Sequence, residues 1–350
     1  YKKFHCIADK CIDTCCAEWQ IVIDDESLEK YRNYKGDYRQ TLCQNIDWEE
    51  GVFGHNKRGK CAFLRDDDLC DMYIHMGEDS LCTTCREYPR HTEEFENLRE
   101  ITLSLSCPEV AKIVMNTTEP ITFVTKEDET DECYEEFDYF LFSELEDVRE
   151  EMIRIIQDRN VNIRDRIDKI LQISVSVQRH YDAGSLISWN EFEQSDRVCV
   201  ENEYELFERL FLFLFEEFEI LYPQWAEVLV ESRLFLFGEG KKVFEQNKEE
   251  FETWWNTSNL TPLDIVLEQL VVYFISVYLL GAVYDENILG KVDACIGHTI
   301  EIYLLLLGRW LKHGELAMDD VIEVVYRYSR EIEHSDENLE RAEMLNWFAR

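Results

Sequence analysis

The chain has 350 residues, with 36 Lys+Arg against 74 Asp+Glu, a net charge of −38. At about 100–200 residues per domain, the length predicts two domains or three. An apolar share of 45% with only 5 prolines excludes a disordered chain. The charge argues against nucleic acid and an anionic membrane surface as partners, since both need a basic face, and it suits a basic or lysine-bearing partner. Thirteen cysteines, an odd number, exclude a complete disulfide framework without a leftover thiol.

Cysteines and charge are distributed differently. Ten cysteines fall between Cys6 and Cys107, and only Cys133, Cys199 and Cys295 lie beyond. Residues 1–118 carry a net charge of −8 and the remaining 232 carry −30. This contrast predicts a Cys-rich domain over 1–118 and a strongly acidic one over 119–350. The break falls near Thr117–Asp131, where Pro120 and the acidic stretch from Lys126 to Glu132 interrupt the periodicity.

In the front domain, strands are expected at Gln20–Ile23 and Arg99–Ser104 and a helix near Glu26–Tyr34, joined by Cys-bearing loops. Past residue 131 apolar residues recur at helical spacing almost throughout. Helices are predicted over Glu135–Asp158, Arg164–His180, Tyr204–Tyr222, Leu263–Tyr284, Asp293–Lys312, Met318–Ile332 and Asp336–Phe348, seven to nine in all. The expected fold is mainly α: a metal-binding N-terminal domain with little β, then an all-α bundle. No apolar signal segment opens the chain, so a cytoplasmic location is expected. The charge-free stretch Gln269–Tyr284 falls short of a membrane span and reads as a buried core helix. No transmembrane segment is expected; peripheral membrane contact stays open.

The front cysteines form close pairs, Cys11/Cys15 and Cys82/Cys85, plus isolated members contributed by other loops. Close pairs can reach one metal from a single turn, and thiolates select zinc or iron–sulfur clusters. Zinc, a cluster and disulfides all accept this spacing, although reducing cytosol disfavours disulfides. Cys43, Cys133, Cys199 and Cys295 read as ordinary small apolar residues. The C-x3-C-x2-C pattern of radical S-adenosylmethionine enzymes is absent, because Cys15 is followed directly by Cys16. No Rossmann, P-loop, H-E-x-x-H, G-x-S-x-G or kinase motif is present, and Gly238-Glu239-Gly240 reads as a loop between helices.

Taken in order, Phe4-His5-Cys6, Cys11-Ile12-Asp13-Thr14-Cys15-Cys16, Trp19, Cys61-Ala62-Phe63-Leu64, Leu69-Cys70, Leu81-Cys82-Thr83-Thr84-Cys85, Tyr88-Pro89-Arg90 and Ser106-Cys107-Pro108-Glu109 resemble the flagellin lysine N-methylase (FliB) family. More distantly they are similar to small Cys-cluster proteins that chelate zinc or iron. The resemblance covers Phe4 to about Val114; the back half shares only its helical character and length. Glu18 and Ala62 depart from the family's Gly and Pro, which touches loop shape but removes no thiol.

The resemblance implies methyl transfer from S-adenosyl-L-methionine to lysines of flagellin in the cytoplasm, with a 4Fe-4S cluster (zinc being the alternative). It implies a ligand pool of Cys6, Cys11, Cys15, Cys16, Cys61, Cys70, Cys82, Cys85 and Cys107. A lysine with a reference pKa of about 10.4 must shed a proton before it attacks a methyl sulfonium. Asp13, Glu18, Glu87 and Tyr88, close to cysteines in sequence, are candidate acceptors of that proton. Arg86 and Arg90 are candidates to hold the cosubstrate carboxylate. Two other readings share the cysteines: a non-catalytic metal-stapled adaptor for a partner protein, and an iron–sulfur electron-transfer or redox-sensing protein.

Overall fold

A computed structural model describes residues 2–16, 20–57, 59–96, 98–126, 137–185, 202–344 and 347–348. The chain divides into two units, Tyr1–Glu93 with Glu100–Ile113, and Glu94–Arg99 with Val114–Arg350. Mainly α architecture is what the structure shows.

The first unit is built on short elements. Helix α1 (Asp25–Asn33) starts where Asp24 Oδ1 accepts the Ser27 amide at 3.0 Å. Helices α2 (Arg39–Asn45), α3 (Asp71–Met76), α4 (Thr83–Glu87) and α5 (Pro108–Met115) follow. Strands β1 (Ile46–Asp47) and β2 (Val52–Phe53) pair antiparallel, with Ile46 opposite Phe53. A second pair comprises β3 (Arg90–Phe95) and β4 (Leu98–Leu103). The expected strand at Gln20–Ile23 shortens to a single bridge, Val22 opposite Val52, because β2 is only two residues long; the Ile21 carbonyl accepts the Phe53 amide and the Ile23 amide donates to the Gly51 carbonyl beside it. Tyr31, Leu42, Phe53, Phe63 and Met72 form a small apolar core.

The second unit is a helical bundle. Its helices among the described residues are α6 (Tyr139–Ile156), α7 (Ile163–Asp182), α8 (Glu203–Glu216), α9 (Pro223–Phe237), α10 (Lys241–Thr257), α11 (Leu263–Tyr278), α12 (Ala282–Asp285), α13 (Ile288–His313), α14 (Met318–Glu333) and α15 (Asp336–Glu343). That exceeds the expected seven to nine. The stretch expected as one helix over Leu263–Tyr284 is broken by a 3-10 turn at Leu279–Gly281. Gly238–Gly240 is the loop between α9 and α10, as expected.

Helix α13 is the axis, buried along most of its length, with α7, α8, α9, α10, α11, α14 and α15 packed on it. Asn287 caps its start by accepting the Gly290 amide, and Gly314, at φ +79°, ends it. Gly308 lets α9 approach closely, since a Cβ there would stand 3.1 Å from Ser232 Cβ. Leu263–Asp285 and Ile288–His313 are long and apolar enough to cross a membrane, but 72% and 78% of their apolar windows are buried inside the protein. That burial makes them core helices.

Candidate metal centre

The nine cysteines of the expected ligand pool all belong to the first unit. Cys61, Cys82 and Cys107 are buried, Cys11, Cys15, Cys16, Cys70 and Cys85 half-buried, and Cys6 exposed. Long-range backbone contacts bring them in. Cys16 O accepts the Cys61 amide at 2.8 Å, and Leu64 bridges to Cys70. Asp24 then fixes the position of α4: its second oxygen accepts the Thr83 amide at 2.8 Å, so one carboxylate caps both α1 and α4. Burial alone would raise the Asp24 pKa, but the Thr83 and Ser27 amides outweigh it and hold the group at about 2.

Three thiols stand at helix starts. Cys70 precedes α3, Cys82 precedes α4 and Cys107 precedes α5. Amides of Tyr73 and Met72 favour the Cys70 thiolate, and amides of Val110 and Glu109 favour that of Cys107. Burial outweighs both effects, raising Cys70 and taking Cys107 to about 11 and Cys61 to about 12. Cys82 and Cys85 share a hydrogen bond that lowers Cys82 and raises Cys85. Cys15 is raised by its hydrogen bond with Cys16 and then by burial.

The thiols also sense one another. Cys61 feels Cys16, Cys70 and Cys82; Cys85 feels Cys82, Cys16 and Cys61; Cys107 feels Cys11 and Cys6. As free thiols Cys15, Cys61, Cys70, Cys85 and Cys107 resist ionisation through burial and contact with other thiols, while Cys82 is lowered by its bond with Cys85. A metal's charge reverses that balance, and the donor set therefore fits a thiolate-ligated metal or cluster. Among the described residues, no three His, Cys, Asp or Glu side chains already converge on one ion position.

Of the other expected site residues, Arg86, Glu87, Tyr88 and Arg90 lie together at the end of α4 and the start of β3, and Asp13 lies apart from them in sequence. Glu18 lies outside the described residues, as do Trp19, Cys133 and Cys199. The Asp13 carbonyl accepts the Cys11 thiol at 3.1 Å. Arg86 pairs with Glu87 at 3.2 Å, both exposed. Tyr88 bonds Ser106 at 3.1 Å, and Arg90 reaches the Glu87 carbonyl at 3.4 Å and lies over the Phe4 ring. Cys43 is exposed on α2, and Cys295 is buried in α13.

Sequence reading missed a buried polar cluster in the second unit. His298 Nδ1 lies 2.7 Å from the Tyr328 hydroxyl, which donates to Glu301. Burial, then the Glu301 charge, raises Tyr328. Glu268 on α11, fully buried, accepts from Arg159 at 2.7 Å and Arg166 at 2.8 Å. The signal available was charged and imidazole residues inside apolar helical runs.

Residues 149–348 match the FliB lysine N-methylase C-terminal domain. The relation therefore extends into the helical half, where the sequence had offered only helicity and length. The chain is 31% identical over 123 residues to a lysine-N-methylase of Salmonella typhimurium, covering 33% of this chain and 30% of that protein. It is 31% identical over 122 residues to the flagellar biosynthetic protein FliU of Salmonella muenchen, covering 32% of this chain and 72% of FliU. A lysine-N-methylase of Salmonella choleraesuis matches at 31% over 122 residues, 30% of its length. The aligned region thus spans less than a third of each lysine-N-methylase. No solved structure matches the chain. With more than half of its length matched by one family model, the chain belongs to the FliB lysine N-methylase family.

Proposed function

We propose that this chain is a protein-lysine N-methyltransferase that transfers a methyl group from S-adenosyl-L-methionine to lysines of flagellin in the cytoplasm. It does so with a 4Fe-4S cluster held by thiols of the first unit. The family match over residues 149–348 carries the methylase reading, and the names of the relatives support it. The nine gathered cysteines support the cluster.

The reaction moves a methyl from a sulfonium to a neutral amine, releasing S-adenosylhomocysteine and one proton. The substrate ammonium must first be deprotonated, which desolvation and a nearby carboxylate or phenol promote. Asp13, Glu18, Glu87 and Tyr88 remain the candidates for that task, and Arg86 and Arg90 for the cosubstrate carboxylate. A surface field of net charge −38 draws cationic lysines toward the protein.

Titration of the anaerobically purified chain with S-adenosylhomocysteine tests the reading. Saturable binding, together with label transfer from S-adenosyl-L-methionine to flagellin lysines, is expected. Absence of both favours the adaptor or electron-transfer readings, neither of which needs a methyl-donor pocket.

A further inference from the structure

Four aromatic rings of the second unit form a closed loop, each against the next. Phe95, the last residue of β3, lies 5.2 Å from Phe142 of α6 between ring centroids. Phe142 lies 5.2 Å from Phe137, Phe137 lies 6.2 Å from Tyr284 of α12, and Tyr284 lies 6.0 Å from Phe95. The Tyr284 hydroxyl donates to the Glu94 carbonyl at 3.2 Å, which ties α12 to the end of β3. All of these residues belong to the second unit. Phe95 and Phe142 are buried, Phe137 is half-buried and Tyr284 is 64% exposed, so the loop reaches solvent through the last two.

Glu96 follows Phe95 in the turn between β3 and β4 and is only 2% exposed. Among the described residues, neither of its carboxylate oxygens has a hydrogen-bond partner. A carboxylate enclosed without a donor is costly, and a cation beside it removes that cost. The backbone adds a second cost. Its φ is +48°, a left-handed conformation that glycine or asparagine adopts with less strain.

The surroundings are acidic. Asp138 follows Phe137, Glu286 lies two residues past Tyr284, and both are exposed. The Tyr181 hydroxyl bonds Glu286 and senses the Asp138 charge, so the start of α6 and the ends of α7 and α12 meet here. Aromatic faces attract alkylammonium ions within about 6 Å of a ring centroid, and adjoining rings let one cation use several faces. An apolar ligand would leave the Glu96 carboxylate unsatisfied, and an anion would be repelled by Glu96, Asp138 and Glu286.

We infer that the Phe95, Phe137, Phe142 and Tyr284 rings, with Glu96 as counter-charge, form a binding site for the ammonium group of a lysine side chain, unmodified or methylated, on a partner protein. The choice of lysine among alkylammonium ions rests on the proposed function, which this site deepens by giving the substrate side chain a place to dock.

The test is a titration of the full chain, without cosubstrate, against a short peptide whose dimethyl-lysine carries isotope-labelled methyl groups. Ring currents of the aromatic loop should move the methyl resonance upfield until the shift saturates. The unmodified lysine peptide should compete, and the same peptide with norleucine in place of lysine should compete at least about tenfold more weakly. Tyr284→Ala, at an exposed position, and Glu96→Gln, which removes only the charge, should each weaken binding about tenfold with helical circular dichroism unchanged. An unshifted methyl resonance, equal competition by norleucine, or unchanged affinity in either variant overturns the site. The proposed activity is read separately. Lysine binding without methylation by the metal-replete chain would keep the site and refute the methylase; methylation with an unchanged flagellin KM in Glu96→Gln would do the reverse.

Discussion

Asp293→Asn tests the electrostatics of the helical bundle. Asp293 lies on α13 with no exposed surface, and it accepts the Phe348 amide at 3.3 Å. Its other oxygen has no partner among the described residues. Burial raises its pKa from 3.8 to about 7. The folded protein therefore binds this proton more tightly than the unfolded chain does. The associated stability is full below 3.8 and is lost as pH rises through about 7. A shift of about three units, at 1.36 kcal/mol each, amounts to about 4 kcal/mol lost at pH 8 and about 2 at pH 5. Asparagine keeps an acceptor for Phe348 and carries no charge. The stability difference, variant minus parent, should therefore move in the variant's favour by about 2–3 kcal/mol between pH 5 and pH 8. Urea unfolding followed by helical circular dichroism at both pH values measures it. An equal difference at the two pH values, or one favouring the parent at pH 8, would refute the reasoning.

Glu268→Gln leaves the buried Arg166 beside Arg159 without their shared carboxylate, and unfolding experiments should register a loss of about 3–5 kcal/mol. Asp24→Ala uncaps α1 and α4 together. Denaturation should show a loss of about 1–3 kcal/mol at pH 7 that shrinks as pH falls from 3.8 toward 2, the sign set by a folded-state pKa held at about 2. If the acidic surface steers lysine-bearing flagellin, KM for flagellin should rise severalfold between low salt and about 0.5 M salt, with kcat nearly constant. A salt-independent KM would remove steering from the account.

The legible parts of the fold were those where one physical signal dominated. Helices α7 and α14 follow from apolar spacing, and the core nature of α11 from its charge-free apolar run after Glu268. Helix α9 escaped because its apolar residues point everywhere: Trp225, Leu229 and Leu236 are buried, while Val228, Val230, Leu234 and Phe235 are exposed. β3 was hidden because Arg90-His91-Thr92-Glu93-Glu94 shows no apolar alternation. Spacing supplied the close pairs Cys11/Cys15 and Cys82/Cys85 and the family resemblance the pool of nine, but neither gave contacts such as Cys61 to Cys16 across distant loops. A lone His298 on an apolar helix gave no hint of Tyr328, which reaches it from another helix.

The most direct test of the central claim is a methylation assay with the anaerobically purified, metal-replete chain, methyl-labelled S-adenosyl-L-methionine and unmodified flagellin, read by mass spectrometry. The account predicts label on flagellin lysine side chains, and its loss when Cys70 and Cys85 are replaced by serine. Flagellin left unlabelled by a folded, metal-replete chain would contradict it.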